Sequence, residues 1–154
     1  MNLTPIAASA VLAVSFFVNP VTSSVALANE LVTPSPEGAQ TYIVWPEDGA
    51  TVDTTFKVVF GLSGMGIAPA GVERENTGHH HLLINQEELP AEGVPMGNPP
   101  LHFGSGQTET EVTLGPGTHT LQIILGNHFH VPHNPPVVSE KITITVVENT
   151  GVEN

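Results

Sequence analysis

Short segments in which apolar and polar side chains alternate, separated by clusters of glycine and proline, constrain the fold of this chain more than any other feature. Residues 55–62 place Phe56, Val58 and Phe60 on one face, and residues 139–146 alternate isoleucine or valine with threonine. A period of two is typical of a strand with one buried face. Long helical periodicity is not visible in the sequence, which therefore predicts an all-β protein.

About seven such segments follow one another along the chain. They lie at residues 41–45, 55–62, 79–84, 101–103, 108–114, 118–125 and 139–146. Gly115-Pro116-Gly117 predicts a turn that joins the fifth and sixth segments as a hairpin. Seven short strands separated by turns fit an antiparallel immunoglobulin-like β-sandwich, with a small closed barrel as the alternative.

The first 28 residues predict a secretory signal peptide. They carry no charged side chain, and they end in Ala26-Leu27-Ala28, the small-x-small pattern that precedes a cleavage site. The apolar run at residues 6–18 is too short to span a bilayer. We therefore expect cleavage before Asn29, a periplasmic or extracellular location, and no membrane insertion of the mature protein.

The mature chain is long enough for one domain and not for two. Residues 29–40 are polar and contain proline, which predicts a flexible lead, and residues 148–154 predict a flexible tail. The β-sandwich domain is accordingly expected at residues 41–147.

Charge and the lack of cysteine restrict the partners and the chemistry. Fifteen acidic and three basic residues give a formal net charge of −12. This charge repels phosphate backbones and anionic lipids, which argues against nucleic acid as a partner, and it attracts cations. Because the chain has no cysteine, a transition-metal site must be built from histidine, with Asp, Glu, Met or water completing it.

Six of the eight histidines lie in two short windows, one at residues 79–81 and one at residues 128–133. Neutral imidazole is the commonest metal ligand among side chains. On a strand, alternation places His79 and His81 on one face and His80 on the other, with the apolar Leu82. We therefore predict His79 and His81 as ligands and His80 as a buried, hydrogen-bonded structural residue.

Several motifs resemble a bacterial family of small exported domains of unknown function. In chain order they are FGL and GMG within residues 60–66, TGHHHLLI at 77–84, LHFGSGQT at 101–108, GTHTL at 117–121 and HVPHNPPV at 130–137. The resemblance covers residues 44–146 and implies an exported, β-rich domain, but it implies no activity. The family pattern has no counterpart of His128, which therefore ranks as a ligand below His79, His81, His102, His130 and His133.

The sequence thus predicts one metal site at an end of the sandwich. Its ligands are five histidines: His79, His81, His102, His130 and His133. The expected ion is copper or zinc, and its affinity should fall below about pH 6 because imidazole must be neutral to bind. His119 is assigned to the edge of the core. Met65 and Met96 are assigned to packing, with a thioether ligand for Cu(I) as the alternative.

The leading functional hypothesis is a periplasmic or secreted carrier or buffer for copper or zinc. One alternative is a small metalloenzyme that acts on superoxide or a similar oxidant, although no acid/base pair is evident in the sequence. The other is a non-enzymatic immunoglobulin-like module that contacts an envelope protein and uses its histidines as hydrogen-bonding staples or pH sensors.

Overall fold

The computed structural model describes residues 31–148. The predicted signal peptide, at residues 1–28, lies outside the described residues, as do the first two residues of the predicted lead and nearly all of the predicted tail. Nine strands are present in the described part: β1 (Gln40–Trp45), β2 (Thr51–Asp53), β3 (Thr55–Ser63), β4 (Gly66–Ile67), β5 (Thr77–Ile84), β6 (Leu101–His102), β7 (Glu109–Thr113), β8 (Gly117–Gly126) and β9 (Ile142–Val147).

Each of the seven predicted segments contains a strand, with boundaries that differ by a few residues. The prediction missed β2 and β4, which are three and two residues long. Segments of this length are too short to display a period of two, so the pattern that identifies the longer strands is not available for them.

The strands form two sheets that pack face to face. The smaller sheet has the order β1-β3-β7, and the larger has the order β2-β9-β8-β5-β4, with β6 paired to β5. Most neighbours are antiparallel, whereas the two short strands β2 and β4 pair in parallel with β9 and β5. The protein is an all-β, immunoglobulin-like sandwich, as the sequence predicted.

The predicted hairpin between β7 and β8 is wrong. β7 pairs with β3 in the smaller sheet, whereas β8 pairs with β5 and β9 in the larger one. Gly115-Pro116 therefore carries the chain from one sheet to the other. A turn motif predicts that the chain reverses direction, but it does not predict which strand the next segment pairs with.

The core lies between the two sheets and is built from the inward face of each strand. Burying aliphatic and aromatic side chains of this kind is worth about 1.5–3 kcal/mol each before the entropy of ordering them is subtracted. The cluster consists of Val52, Phe56, Val58, Phe60, Leu82, Phe103, Val112, Leu121, Ile123, Ile144 and Val146.

The opposite face of the larger sheet is also covered. Leu83 of β5 and Ile124 of β8 point away from the main core and pack with Met96 and Val138, which belong to two long loops. These loops, at residues 85–100 and 127–141, lie over the outer face of the sheet. The residues of β5 that share the parity of Leu83 are therefore buried even though they face away from the smaller sheet.

The described part of the predicted flexible lead lies beside the second of these loops. Ser35 N–H donates to the Asn134 carbonyl at 3.3 Å, and Asn134 N–H donates to the Thr33 carbonyl at 3.0 Å. These contacts do not measure mobility, and the flexibility of the lead stays a prediction. Within residues 31–148, no helix has the length and apolar character that a bilayer crossing requires.

Candidate metal centre

Strand β5 supplies two histidines to one face of the larger sheet. His79 and His81 alternate with His80, so that both rings point to the outer face while His80 points into the core. His80 is buried and packs on Phe60 with ring centroids 5.1 Å apart, but neither of its ring nitrogens has a hydrogen-bond partner, so the hydrogen bonds predicted for it are not observed. The ring centroids of His79 and His81 are 4.8 Å apart.

The short strand β6 adds a third histidine. It pairs antiparallel with β5 and places His102 opposite His81, so that both side chains leave the sheet on the same face. A Cβ atom at position 104 would collide with the His102 ring. Gly104 therefore leaves the space that the His102 ring occupies.

A turn after β8 adds the fourth histidine. His130 adopts a positive φ of 66°, which only a minority of non-glycine residues do, and its N–H donates to the Asn127 carbonyl at 2.8 Å. The Asn127 side-chain oxygen accepts the N–H groups of Phe129 and Val131 at 2.9 and 3.1 Å. The buried Asn127 amide thus holds the turn in the conformation that presents the His130 ring.

The four rings form one compact group. The centroid of His130 lies 4.6 Å from that of His102 and 5.1 Å from that of His79, and His79 and His102 are 5.0 Å apart. One ring nitrogen from each of His79, His81 and His102 lies within 4.8 Å of the other two. Three nitrogens spaced evenly around one ion at ordinary bond lengths are about 3.6 Å apart or less, so a movement of each side chain by less than about 1 Å would close the triad on an ion.

The inner two rings are buried without hydrogen bonds. His79 and His81 have no solvent-exposed surface, and neither nitrogen of either ring has a hydrogen-bond partner. A buried polar atom without a partner costs about 1–3 kcal/mol, and four such atoms side by side are unusual in a native protein. A metal ion would bind one nitrogen of each ring and so satisfy two of the four atoms at once.

Burial keeps these imidazoles neutral. Loss of hydration, and next the neighbouring histidines, lower the pKa of His79 from 6.5 to about 4 and that of His81 to about 3. Burial, with a further contribution from His130, also lowers the pKa of His102. At neutral pH these rings keep a lone pair for coordination, which is the form that binds a metal.

One side of the group opens to solvent. A surface pocket of about 570 Å³ is lined by His102 and His130, together with Met96 and Phe103. His102 is exposed and His130 is half-buried, whereas the β5 pair lies beneath them. An ion would therefore enter past two accessible ligands and meet two fixed ones.

His133, the fifth predicted ligand, lies apart from this group. Its Nδ1 is 2.9 Å from the hydroxyl oxygen of Thr33, and its Nε2 is buried behind Gly78 with no hydrogen-bond partner. Burial lowers its pKa. The structure thus brings four of the five predicted histidines together and places His133 next to them, on the far side of the Gly78 backbone.

The remaining histidines lie outside the group. Both ring nitrogens of His119 are in hydrogen-bond contacts, with Nδ1 accepting from the Asn85 amide and Nε2 donating to the Gly115 carbonyl. His128 stacks on Phe129 with ring centroids 4.0 Å apart. His119 therefore has the structural role that its strand parity predicted.

The expected location of the site needs a correction. The sequence predicted a cluster at one end of the sandwich. His79 pairs with Gly126, the last residue of β8, so the group lies near one end of the larger sheet, but on its outer face and beside the loops at residues 85–100 and 127–141. Three supporting residues were not identified from sequence: Gly104, Gly126 and Asn127. A Cβ at Gly126 would come within 2.7 Å of both His81 and Met96, so this glycine also leaves room for the cluster.

Comparison with solved structures gives remote similarities. The endo-β-1,4-mannanase from Thermotoga petrophila is 17% identical with a TM-score of 0.43, and the match covers 73% of this chain and 20% of that one. The fibronectin(III)-like modules of CbhA from Clostridium thermocellum are 10% identical with a TM-score of 0.38, over 71% of this chain and 46% of that one. This chain thus spans less than half the length of either.

Sequence comparison identifies a family without an assigned activity. No curated protein matches the chain. The model of a family described as a domain of unknown function, DUF4399, matches residues 58–147. That range includes strand β5 and all four clustered histidines. It is more than half of the chain, and the protein therefore belongs to the DUF4399 family.

Proposed function

We propose that this protein is an exported metal-binding protein, a carrier or buffer for copper or zinc, whose ligands are His79, His81, His102 and His130. The observation that carries the proposal is the convergence of these rings around a point where both nitrogens of His79 and of His81 are buried and unpaired. The core-facing His80 is also buried without hydrogen-bond partners, so it is the convergence of the rings, and not burial alone, that distinguishes this group.

The donor set favours a transition metal over calcium or magnesium. Imidazole nitrogen suits copper and zinc, whereas Ca²⁺ and Mg²⁺ prefer carboxylate, carbonyl and water oxygens. Among residues 31–148, the only group of three or more His, Asp or Glu side chains with ligand atoms close enough to hold an ion consists of His79, His81 and His102. A site made of imidazoles therefore suits copper or zinc better than calcium or magnesium.

The access route favours a carrier or buffer. His79 and His81 are held by the pairing of β5 with β8, whereas His102 and His130 line the pocket that opens to solvent. An ion bound in this way can exchange its outer ligands one at a time without unfolding of the sheet. The predicted signal peptide and the net charge of −12 support a role outside the cytoplasm, where the acidic surface would raise the local cation concentration.

Calorimetric titration of the metal-free protein with Cu(II) and with Zn(II) near neutral pH tests the proposal. The wild type should bind one ion with at least micromolar affinity, and the double variant H79Q/H81Q should lose this binding. His128→Gln is the matched control, because it removes a histidine that lies outside the ring group and should leave binding unchanged. Equal binding by the wild type and by a folded H79Q/H81Q variant, or no binding by the wild type, would refute the proposal.

A further inference from the structure

We propose that the Met96 thioether is an additional ligand on the open side of the histidine group, and that the site takes monovalent copper in preference to a divalent ion. This inference rests on the proposed function and names the ion that it concerns. Thioether sulfur is a soft donor that selects Cu(I), and the chain offers no thiolate in its place.

The end of the Met96 side chain lies close to the histidine cluster. The Met96 Cε atom and the His81 Cε1 atom each lie 2.7 Å from the point that a Cβ at Gly126 would take, so the two atoms are separated by no more than twice that distance. The sulfur is bonded directly to this Cε. Met96 also lines the same surface pocket as His102 and His130.

The backbone fixes Met96 in this position. Its N–H donates to the His130 carbonyl at 2.9 Å, so the loop at residues 85–100 is joined to the turn that presents His130. Met96 is 9% exposed, although its neighbours Pro95 and Gly97 are both exposed. A single buried thioether in an otherwise solvated stretch is thus directed toward the histidine group.

Packing alone accounts for only part of this arrangement. Met96 packs with Leu83, Ile124 and Val138, and this contact gives its methylene groups an apolar environment. Leucine would fill the same apolar space at similar volume. The terminal methyl group instead approaches an imidazole whose nitrogens have no hydrogen-bond partner.

The charge of the site favours an ion of low valence. The close group of ligand atoms consists of histidines alone, and no carboxylate lines the pocket beside it. Neutral imidazoles and a thioether would leave the whole charge of the ion uncompensated in a partly buried site. Because the cost of burying an ion rises with the square of its charge, a monovalent ion is stabilised relative to a divalent one.

Competition for Cu(I) against bathocuproine disulfonate without oxygen, alongside Zn(II) titration, tests the inference. Met96→Leu should weaken Cu(I) binding by at least about tenfold and leave Zn(II) affinity unchanged, because a soft donor matters for the soft ion alone. Met65→Leu is the matched control and should change neither. Equal Cu(I) affinity in wild type and Met96→Leu, or an equal loss of Cu(I) and Zn(II), would overturn the inference.

X-ray absorption of the Cu(I)-loaded protein gives a second readout. The wild-type spectrum does not depend on how well any variant folds. The wild type should show one sulfur scatterer at about 2.3 Å together with nitrogen scatterers, and the sulfur should vanish in Met96→Leu. Nitrogen scatterers alone in the wild type would refute the Met96 ligand and leave the histidine site standing. Failure of the wild type to take up any metal would refute the proposed function itself.

Discussion

His102 lies directly opposite His81 in the antiparallel pairing of β5 and β6, and their ring centroids are 5.1 Å apart. The two residues are 21 positions apart in the sequence, and the long loop between them returns the chain to the same strand edge. Cross-strand pairing thus converts two distant histidines into neighbours on one face. The same pairing joins a fully buried ring to an exposed one.

His102→Gln should weaken metal binding and leave the fold intact. The His102 side chain is exposed, so its replacement should change the free energy of unfolding of the metal-free protein by no more than about 0.5 kcal/mol. Loss of one of four ligands should lower the affinity for Zn(II) or copper by at least about tenfold. Calorimetric titration measures the affinity, and urea denaturation measures the stability.

His128→Gln serves as the control for this experiment, because it removes an imidazole that stacks on Phe129 outside the group. If His102→Gln bound metal as tightly as His128→Gln, the ion would not be bound beside the pairing of β5 and β6.

The metal-free protein should lose stability as the pH falls below 6.5. Burial lowers the pKa of His79 to about 4 and that of His81 to about 3 in the folded state, whereas in the unfolded chain both titrate near 6.5. The unfolded state therefore takes up protons first. The contribution is fully present above pH 6.5 and is lost as the pH falls toward 4 and then 3. For His79 alone the shift corresponds to about 3 kcal/mol.

Urea denaturation in the presence of a chelator, at a series of pH values, measures this dependence. The H79Q/H81Q variant should show a flatter profile between pH 6.5 and 4, since it lacks two of the histidines whose pKa is lowered by burial. A wild-type profile no steeper than that of this variant would contradict the prediction. The lowered pKa values also mean that protons compete with the metal for the inner ligands at a lower pH than the value of about 6 expected from free imidazole.

Sequence patterns predicted the sandwich because its strands are long enough to alternate. The faces of β3 and β9 follow from Val58 and Ile144, which lie in period-two segments and are fully buried. The partner of β7 could not be predicted, because the outward Glu109 and Glu111 fit an edge strand of either sheet. Pairing partners are determined by the packing of the whole domain and not by a single turn.

The histidine ligands could be predicted in part for the same reason. Alternation on β5 separates His79 and His81 from His80 without any coordinates. In contrast, the burial of this outer face depends on the loops that cover it, and loops carry no periodic signal. His133 approaches the Gly78 backbone and contacts Thr33, whereas His130 joins the other rings, and nothing in the motif HVPH specifies this difference.

Gly126→Ala should disturb the packing of the histidine cluster. The added Cβ would meet the His81 ring and the Met96 methyl group at 2.7 Å, and His81 is too buried to move aside freely. We expect destabilisation of about 1–3 kcal/mol, as for other overpacked sites, with a parallel loss of metal affinity. Gly97→Ala is the control, because no atom lies within 4 Å of the position its Cβ would take. Thermal denaturation that gives equal midpoints for the two variants would refute this packing argument.

The Asn127 side chain should stabilise the turn and through it the outer ligand His130. Its oxygen accepts the N–H groups of Phe129 and Val131, and its nitrogen donates to the Leu31 carbonyl at 2.8 Å. Asn127→Ala leaves these buried groups without partners, which should cost about 2 kcal/mol or more. Asn127→Asp keeps the side-chain oxygen that accepts the two N–H groups of the turn. It removes the amide nitrogen that donates to the Leu31 carbonyl.

The two variants therefore distinguish the effect of Asn127 on the turn at His130 from its effect on the lead. Asn127→Asp should retain most of the metal affinity while the lead becomes more sensitive to proteolysis, because the turn that presents His130 keeps both of its side-chain hydrogen bonds. Asn127→Ala should lose affinity as well as stability, since the positive φ of His130 is then no longer supported. Calorimetry and limited proteolysis of both variants measure these effects. If Asn127→Ala remained folded and bound metal as tightly as the wild type, the turn would not be what positions His130.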